Sequence, residues 1–242
     1  VFVVVLLIFP SNLSTAALLF SMVLMLAFIA GYPLRYLMTI IGSGMVAVLL
    51  FFLLIKAFPG VFPNRVDTWM SRIENFRTGK SADGNYQVAR AKTAIVSGKI
   101  FGLGAGKSRM KNFLPQSSSD FIYAIIVEEF GLVGGVGLIL LYLLLLYRIL
   151  VIAYKTTSVF RKLTVVGLGI PIVFQAFINI GVALQVIPVT GQNLPMISSG
   201  GTSAWMTCVA LGIILSISAH EDVVVVRPID ENNPLNILSE TL

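Results

Sequence analysis

The stretch FIYAIIVEEFGLVGGVGLILLYLLLLYRILVIA, residues 121–153, decides the fold: 33 residues carry charge only at Glu128, Glu129 and Arg148. As one helix it would run ~50 Å at 1.5 Å per residue, against ~30 Å of bilayer hydrocarbon. It must therefore break or lie partly flat. Gly131, Gly134, Gly135 and Gly137 mark the expected break. A short arm over 121–130 would lie at one interface, with a spanning helix after it.

The rest of the chain reads the same way. Of 242 residues 57% are apolar and 12% charged, and the mean hydropathy is +0.92. A soluble domain carries ~25% charge and cannot hide this much apolar surface. The expected fold is all-α, a polytopic transmembrane bundle. Its spans are a partial one at 1–9 and longer ones at 13–30, 37–55, 121–153, 163–187 and 203–219. One membrane domain covers 1–242, with a long extracytoplasmic loop at 58–120 and a tail at 221–242. The run 1–9 has no basic leader and reads as the end of a cut helix, so the chain is expected to be part of a longer one. A single cysteine, Cys208, excludes an internal disulfide, and with His220 the only histidine a zinc site lacks ligands. Nucleic acid is not an expected partner.

Orientation follows from Lys and Arg in short loops. Arg35, the group Arg148, Lys155, Arg161 and Lys162, and Arg227 fall on one side if spans alternate, while 10–14 and 188–202 carry none. The basic side and the C-terminus are then cytoplasmic and 58–120 lies outside. That loop holds 10 of the 17 Lys and Arg residues, a field suited to an anion or to lipid headgroups. Within it, GKIFGLGAGKS at 98–108 misses the P-loop register because Phe101 stands where Gly is needed. It reads instead as a Gly-rich turn whose backbone N–H groups, with Lys107, Arg109 and Lys111, could reach phosphate oxygens.

Asp120, after Ser117, Ser118 and Ser119, stands at the N-terminus of the short arm. It can be a helix N-cap, or a carboxylate at the membrane surface that takes a proton from a substrate hydroxyl. Glu128 lies about 80° around the helix from Asp120 and Glu129 on the opposite face. A loop Arg or Lys is the simplest partner for either. Gln175 and Asn179, four residues apart, read as packing glue. The uncharged loop 188–202 is expected to pack among helices or at the membrane surface.

Two long motifs carry a resemblance. The run KNFLPQSSSDFIYAIIVEEFGLVG at 111–134 is similar to K-x-x-x-L-P-x-x-x-T-D-F-I-F-A-x-I-x-E-E-x-G of the SEDS family, whose members include FtsW, RodA and SpoVE. IPVTG at 187–191 and LPMISSGGTS at 194–203 resemble the family's closing L-P-x-T-G-x-x-L-P-F-x-S-Y-G-G-S-S. Tyr86 and Gln87 fall where the family places its upstream motif. Departures are PSNLST at 10–15, where the family has Q-P-D-L-G-T, Ser119 for the family's Thr, and Ser199 for its Tyr.

The resemblance, nearest to the FtsW-like members, implies the second half of a ten-helix protein, inactive as this fragment alone. It further implies a peptidoglycan glycosyltransferase that polymerises lipid II at the outer face of the bacterial cytoplasmic membrane, in division or elongation. Asp120 would be catalytic, and Lys111, Ser119, Lys107, Arg109 and Gln87 would bind substrate. Glu128 and Glu129 would form a supporting polar cluster. No protein metal ligand is assigned, and a divalent cation such as Mg or Mn is the only cofactor considered. A class B penicillin-binding protein and other division or elongation proteins are the implied partners. The rival readings are a lipid II flippase and a divisome scaffold. A flippase wants charged residues along a path through the spans, and 163–219 contains none.

Overall fold

The computed structural model describes residues 2–10, 12–57, 82–114 and 117–221. Arg65, Arg72, Arg77, Lys80, Arg227 and the tail after residue 221 lie outside the described residues. The helices are α1 (Phe2–Ile8), α2 (Leu13–Ile29), α3 (Leu34–Ala57), α4 (Ala82–Gly98), α5 (Ile122–Lys155), α6 (Val159–Ala183) and α7 (Gly201–Glu221), with a 3-10 turn at Met110–Asn112. Among the described residues there are no strands. Four helices are long and apolar enough to cross a membrane: α3, α5, α6 and α7. At 17 residues α2 is apolar but shorter, and α1 has 7.

Asn12 caps α2, its side chain accepting the Thr15 amide at 3.2 Å. An N-cap Asn does this as well as Asp, so the departure at residue 12 keeps the helix start.

The centre of the bundle is α5 against α6. Tyr123, Val127, Leu138, Tyr142 and Ile149 of α5 pack with Val165, Val173, Ala176 and Ile180 of α6, joined by Ile214 of α7. Small residues let the backbones close: a Cβ on Gly169 would stand 2.7 Å from Ile149. The other flank of α5, with Leu140, Leu141, Leu144 and Tyr147, is exposed and apolar, as a lipid-facing surface must be.

The reading of 58–120 as loop is corrected over its described part, because residues 82–98 form α4, packed on α5. Its apolar positions Val88, Ala91, Ala94 and Ile95 recur at helical spacing between charges, and Ala91 and Ala94 are fully buried. They meet Leu114, Phe121, Ala124 and Ile125 in a second cluster. The span expected over 163–187 ends earlier, at Ala183, and Gln185 turns the chain with φ +60°.

The break in α5 falls at Gly131, with φ 71° and ψ −171°. In an unbroken helix the Leu132 and Val133 amides would bond the Glu128 and Glu129 carbonyls. Here those four groups are released and the Gly-rich segment after α4 satisfies each one. Leu132 N donates to Lys99 O at 2.9 Å and Val133 N to Ile100 O at 3.2 Å. In return Leu103 N donates to Glu128 O and Gly104 N to Glu129 O, both at 2.9 Å. The approach admits no side chain: a Cβ on Gly131 would lie 2.2 Å from Ile100 O, and one on Gly102 2.2 Å from Glu129 O.

Gly131→Ala should therefore destabilise the protein by about 2–5 kcal/mol, since it adds both backbone strain and overlap. Gly137→Ala, whose Cβ would meet nothing within 4 Å, should stabilise by about 0.5–1 kcal/mol. Thermal unfolding in detergent separates the two; equal melting temperatures would contradict the docked break.

Candidate functional site

Asp120 sits at the end of the turn 117–121, one residue before Phe121, the N-cap of α5. Phe121 is buried at 1% exposure and anchors the turn in the second cluster. Asp120 itself is 9% exposed. The expected N-cap role thus moves one residue along the chain, and Phe121 makes no side-chain capping bond.

The backbone of this turn is held by the uncharged loop that joins α6 to α7. Asn179 of α6, itself 1% exposed, donates to Asp120 O at 2.9 Å and to Gln192 O at 2.6 Å. The Ser198 hydroxyl donates to Ser119 O at 2.6 Å, and both the amide and the hydroxyl of Ser199 donate to Ser118 O at 2.9 and 3.0 Å. Three successive carbonyls, 118 to 120, are therefore engaged. Gln175 donates to Asn193 O at 3.1 Å and the Tyr142 hydroxyl to Pro195 O, which ties the loop to α6 and α5. The loop passes over the carboxylate at Gly191, where a Cβ would lie 3.6 Å from Asp120 Oδ2. Gln192 reaches α2 through its side-chain amide, which donates to Thr15 Oγ1 at 3.0 Å. Gln175 and Asn179 are packing glue as expected, but they hold loop backbone rather than a neighbouring helix.

Beside Thr190, a mostly apolar cleft of about 440 Å³ opens between α2 and α6. Ser14 and Ser21 line it with Phe174, Ile178 and Ile187.

The basic side chains stand on the segment that plugs the break in α5. Lys107, Arg109 and Lys111 are all exposed. The Lys111 carbonyl accepts the Ser117 hydroxyl at 3.0 Å, linking this segment to the Asp120 turn. Several backbone amides of the Gly-rich turn are engaged within the protein: Leu103 and Gly104 donate into the broken helix, Lys107 to Gly104 O, and Lys111 to Ser108 Oγ.

Glu128 is fully buried, and its carboxylate accepts from Ser97 Oγ, Ser108 Oγ, Arg109 N and Met110 N. Among the described residues its partners are hydroxyls and amides rather than a loop Arg or Lys, because the turn presents its backbone inward and its cations outward. Glu129 is half-buried and contributes its carbonyl to the plug. Ser119 is half-buried and Gln87 half-buried on α4, near Arg90, whose guanidinium lies 5.0 Å from the Tyr86 ring and 5.6 Å from that of Phe113.

No group of three or more His, Cys, Asp or Glu side chains comes together among the described residues. The acceptors of Glu128 are already used by the turn. Ser108, Ser198, Gln192 and Gly191 were missed by sequence reasoning. Serines and backbone amides carry no pattern that announces a distant partner.

A family model covering FtsW, RodA and SpoVE, described as cell cycle protein, matches residues 1–223. The chain is 42% identical over 141 residues to a probable peptidoglycan glycosyltransferase FtsW of Xanthomonas oryzae, covering 57% of this chain and 29% of that protein. It is 40% identical over 136 residues to the stage V sporulation protein E of Bacillus subtilis, covering 56% and 37%. A solved structure described as the structural coordination of polymerization and crosslinking by a peptidoglycan synthase complex matches with TM-score 0.65 and 28% identity, over 90% of this chain and 59% of that one. The matched stretch thus spans 29% to 59% of these relatives, less than two thirds of each.

Asn179→Ala should destabilise by about 2–3 kcal/mol, because the carbonyls of Asp120 and Gln192 lose a shared donor away from water. Chemical denaturation in detergent measures it, and a change below ~0.5 kcal/mol would contradict the clasp.

Proposed function

Because the chain belongs to the FtsW/RodA/SpoVE family of cell cycle proteins, we propose that it carries the reacting face of a peptidoglycan glycosyltransferase that joins lipid II disaccharide units. The observation that supports this best is the clasp around Asp120. Two motifs 59 or more residues apart in sequence meet on one carboxylate-bearing turn, with exposed cations on the adjoining segment.

In this reading Asp120 is the general base. It takes the proton from the acceptor sugar hydroxyl as that oxygen attacks the anomeric carbon of the donor chain. The C–O bond to the lipid pyrophosphate breaks, and the pyrophosphate leaves with the electron pair. Lys111, with Lys107 and Arg109, stabilises the charge that grows on the leaving group. Ser119 and Gln87 are assigned to substrate contact on the same face. No step is routed through a metal. The site faces outward, which puts the basic short loops and the C-terminus in the cytoplasm of a bacterial cell. The class B penicillin-binding protein is the partner that would cross-link the strands made here.

The reading is tested in the full-length parent, purified with that partner and supplied with lipid II. Asp120→Asn should lower the polymerisation rate by roughly 100- to 10,000-fold while leaving the melting temperature close to wild type. Glycan strands resolved on a gel measure it. Retained polymerisation in the variant would return Asp120 to a structural role.

A further inference from the structure

We propose that Glu128 is the positioning residue that holds the cationic turn 107–111 at a fixed place relative to Asp120. The inference rests on the polymerase reading for what the turn binds, but its geometry stands independently. Glu128 is the fully buried acid of the outer arm of α5, two turns beyond Asp120. Its carboxylate takes Ser108 Oγ at 2.5 Å, Arg109 N at 3.1 Å, Met110 N at 3.3 Å and Ser97 Oγ at 3.4 Å. Every partner is a donor. Only a carboxylate offers two oxygens that both accept; a glutamine would turn an NH2 group toward one of them.

A buried acid held by hydroxyls and amides gains little stability from its burial, since desolvation offsets much of what the hydrogen bonds return. What it supplies is geometry. Ser97, at the end of α4, shares its one proton between Ala94 O at 2.8 Å and Glu128, so the firm hold of Glu128 is on the turn, through Ser108, Arg109 and Met110. The Glu128 carbonyl holds Leu103 as well, so the segment is gripped at two points. With the amides of 109 and 110 facing inward, the side chains of Lys107, Arg109 and Lys111 remain exposed. The turn continues through Lys111 O and Leu114 into the cluster around Phe121, next to Asp120. Asp120 and the cations are thus registered to one arm, and Glu128 sets the register on the cationic side.

The experiment compares wild type, Glu128→Gln and Ser108→Ala in the full-length parent with its partner, using lipid II as substrate. Glu128→Gln should raise KM about 10-fold, with kcat within about twofold. Ser108→Ala, which removes one hydroxyl from a half-buried position, should move KM the same way by about 2- to 5-fold. Trypsin should cut faster after Lys107, Arg109 or Lys111 in both variants. Unchanged KM in both would overturn the proposal, as would a loss of kcat at constant KM, which would put Glu128 in the chemistry. If Glu128→Gln does not fold, the KM of Ser108→Ala decides by the same criterion. If wild type makes no polymer, the polymerase reading fails; direct lipid II binding, weakened in the variants or not, then decides the role of Glu128.

Discussion

A helix that breaks within a membrane protein exposes backbone groups that lipid cannot satisfy. At Gly131 the chain releases two amides and two carbonyls, and the segment 99–104 supplies two acceptors and two donors at 2.9 to 3.2 Å. This exchange is the constraint on which the face bearing Asp120 depends. It requires glycine at the crossing, since a Cβ at Gly131 or Gly102 would lie 2.2 Å from a backbone oxygen. It also requires that α4 be delivered to the break. Ala91 and Ala94 do this by letting α4 lie close on α5.

Once the break is plugged, the short arm of α5 becomes a rigid bracket with Asp120 just before it and Glu128 near its far end. The loop between α6 and α7 closes on the Asp120 end through Asn179, Ser198 and Ser199. That loop has no charged residue, and its Ser198 and Ser199 donors meet the carbonyls of Ser119 and Ser118 in the turn. Backbone held in this way fixes where the Asp120 side chain leaves the turn, the preorganisation that the proposed general-base role calls for.

Much of this was legible in the sequence. The 33-residue apolar run exceeds the bilayer thickness, so a break was required, and Gly131 was among the residues that could make it. The isolated polar residues Gln175 and Asn179 were readable as glue because a buried amide needs partners. The helix α4 was not legible. Its apolar face is built largely from Ala91 and Ala94, set beside Arg90 and Lys92, and in a basic stretch that looks like a solvated loop. The Glu128 network was hidden for a different reason: its donors are two serines and two amides, and only folding brings them within reach. The glycines of 98–108 suggested a phosphate cradle, and the break in α5 takes the amides of Leu103 and Gly104 from it.

The central claim is that the segment 99–110 is locked into the break of α5 rather than lying on the surface. Hydrogen–deuterium exchange of the full-length protein in nanodiscs tests it most directly. The amides of Leu103, Gly104, Arg109 and Met110 are predicted to exchange slowly, with protection approaching that of the helix interior of α5. Exchange of these four at the rate of an unstructured loop would contradict the account.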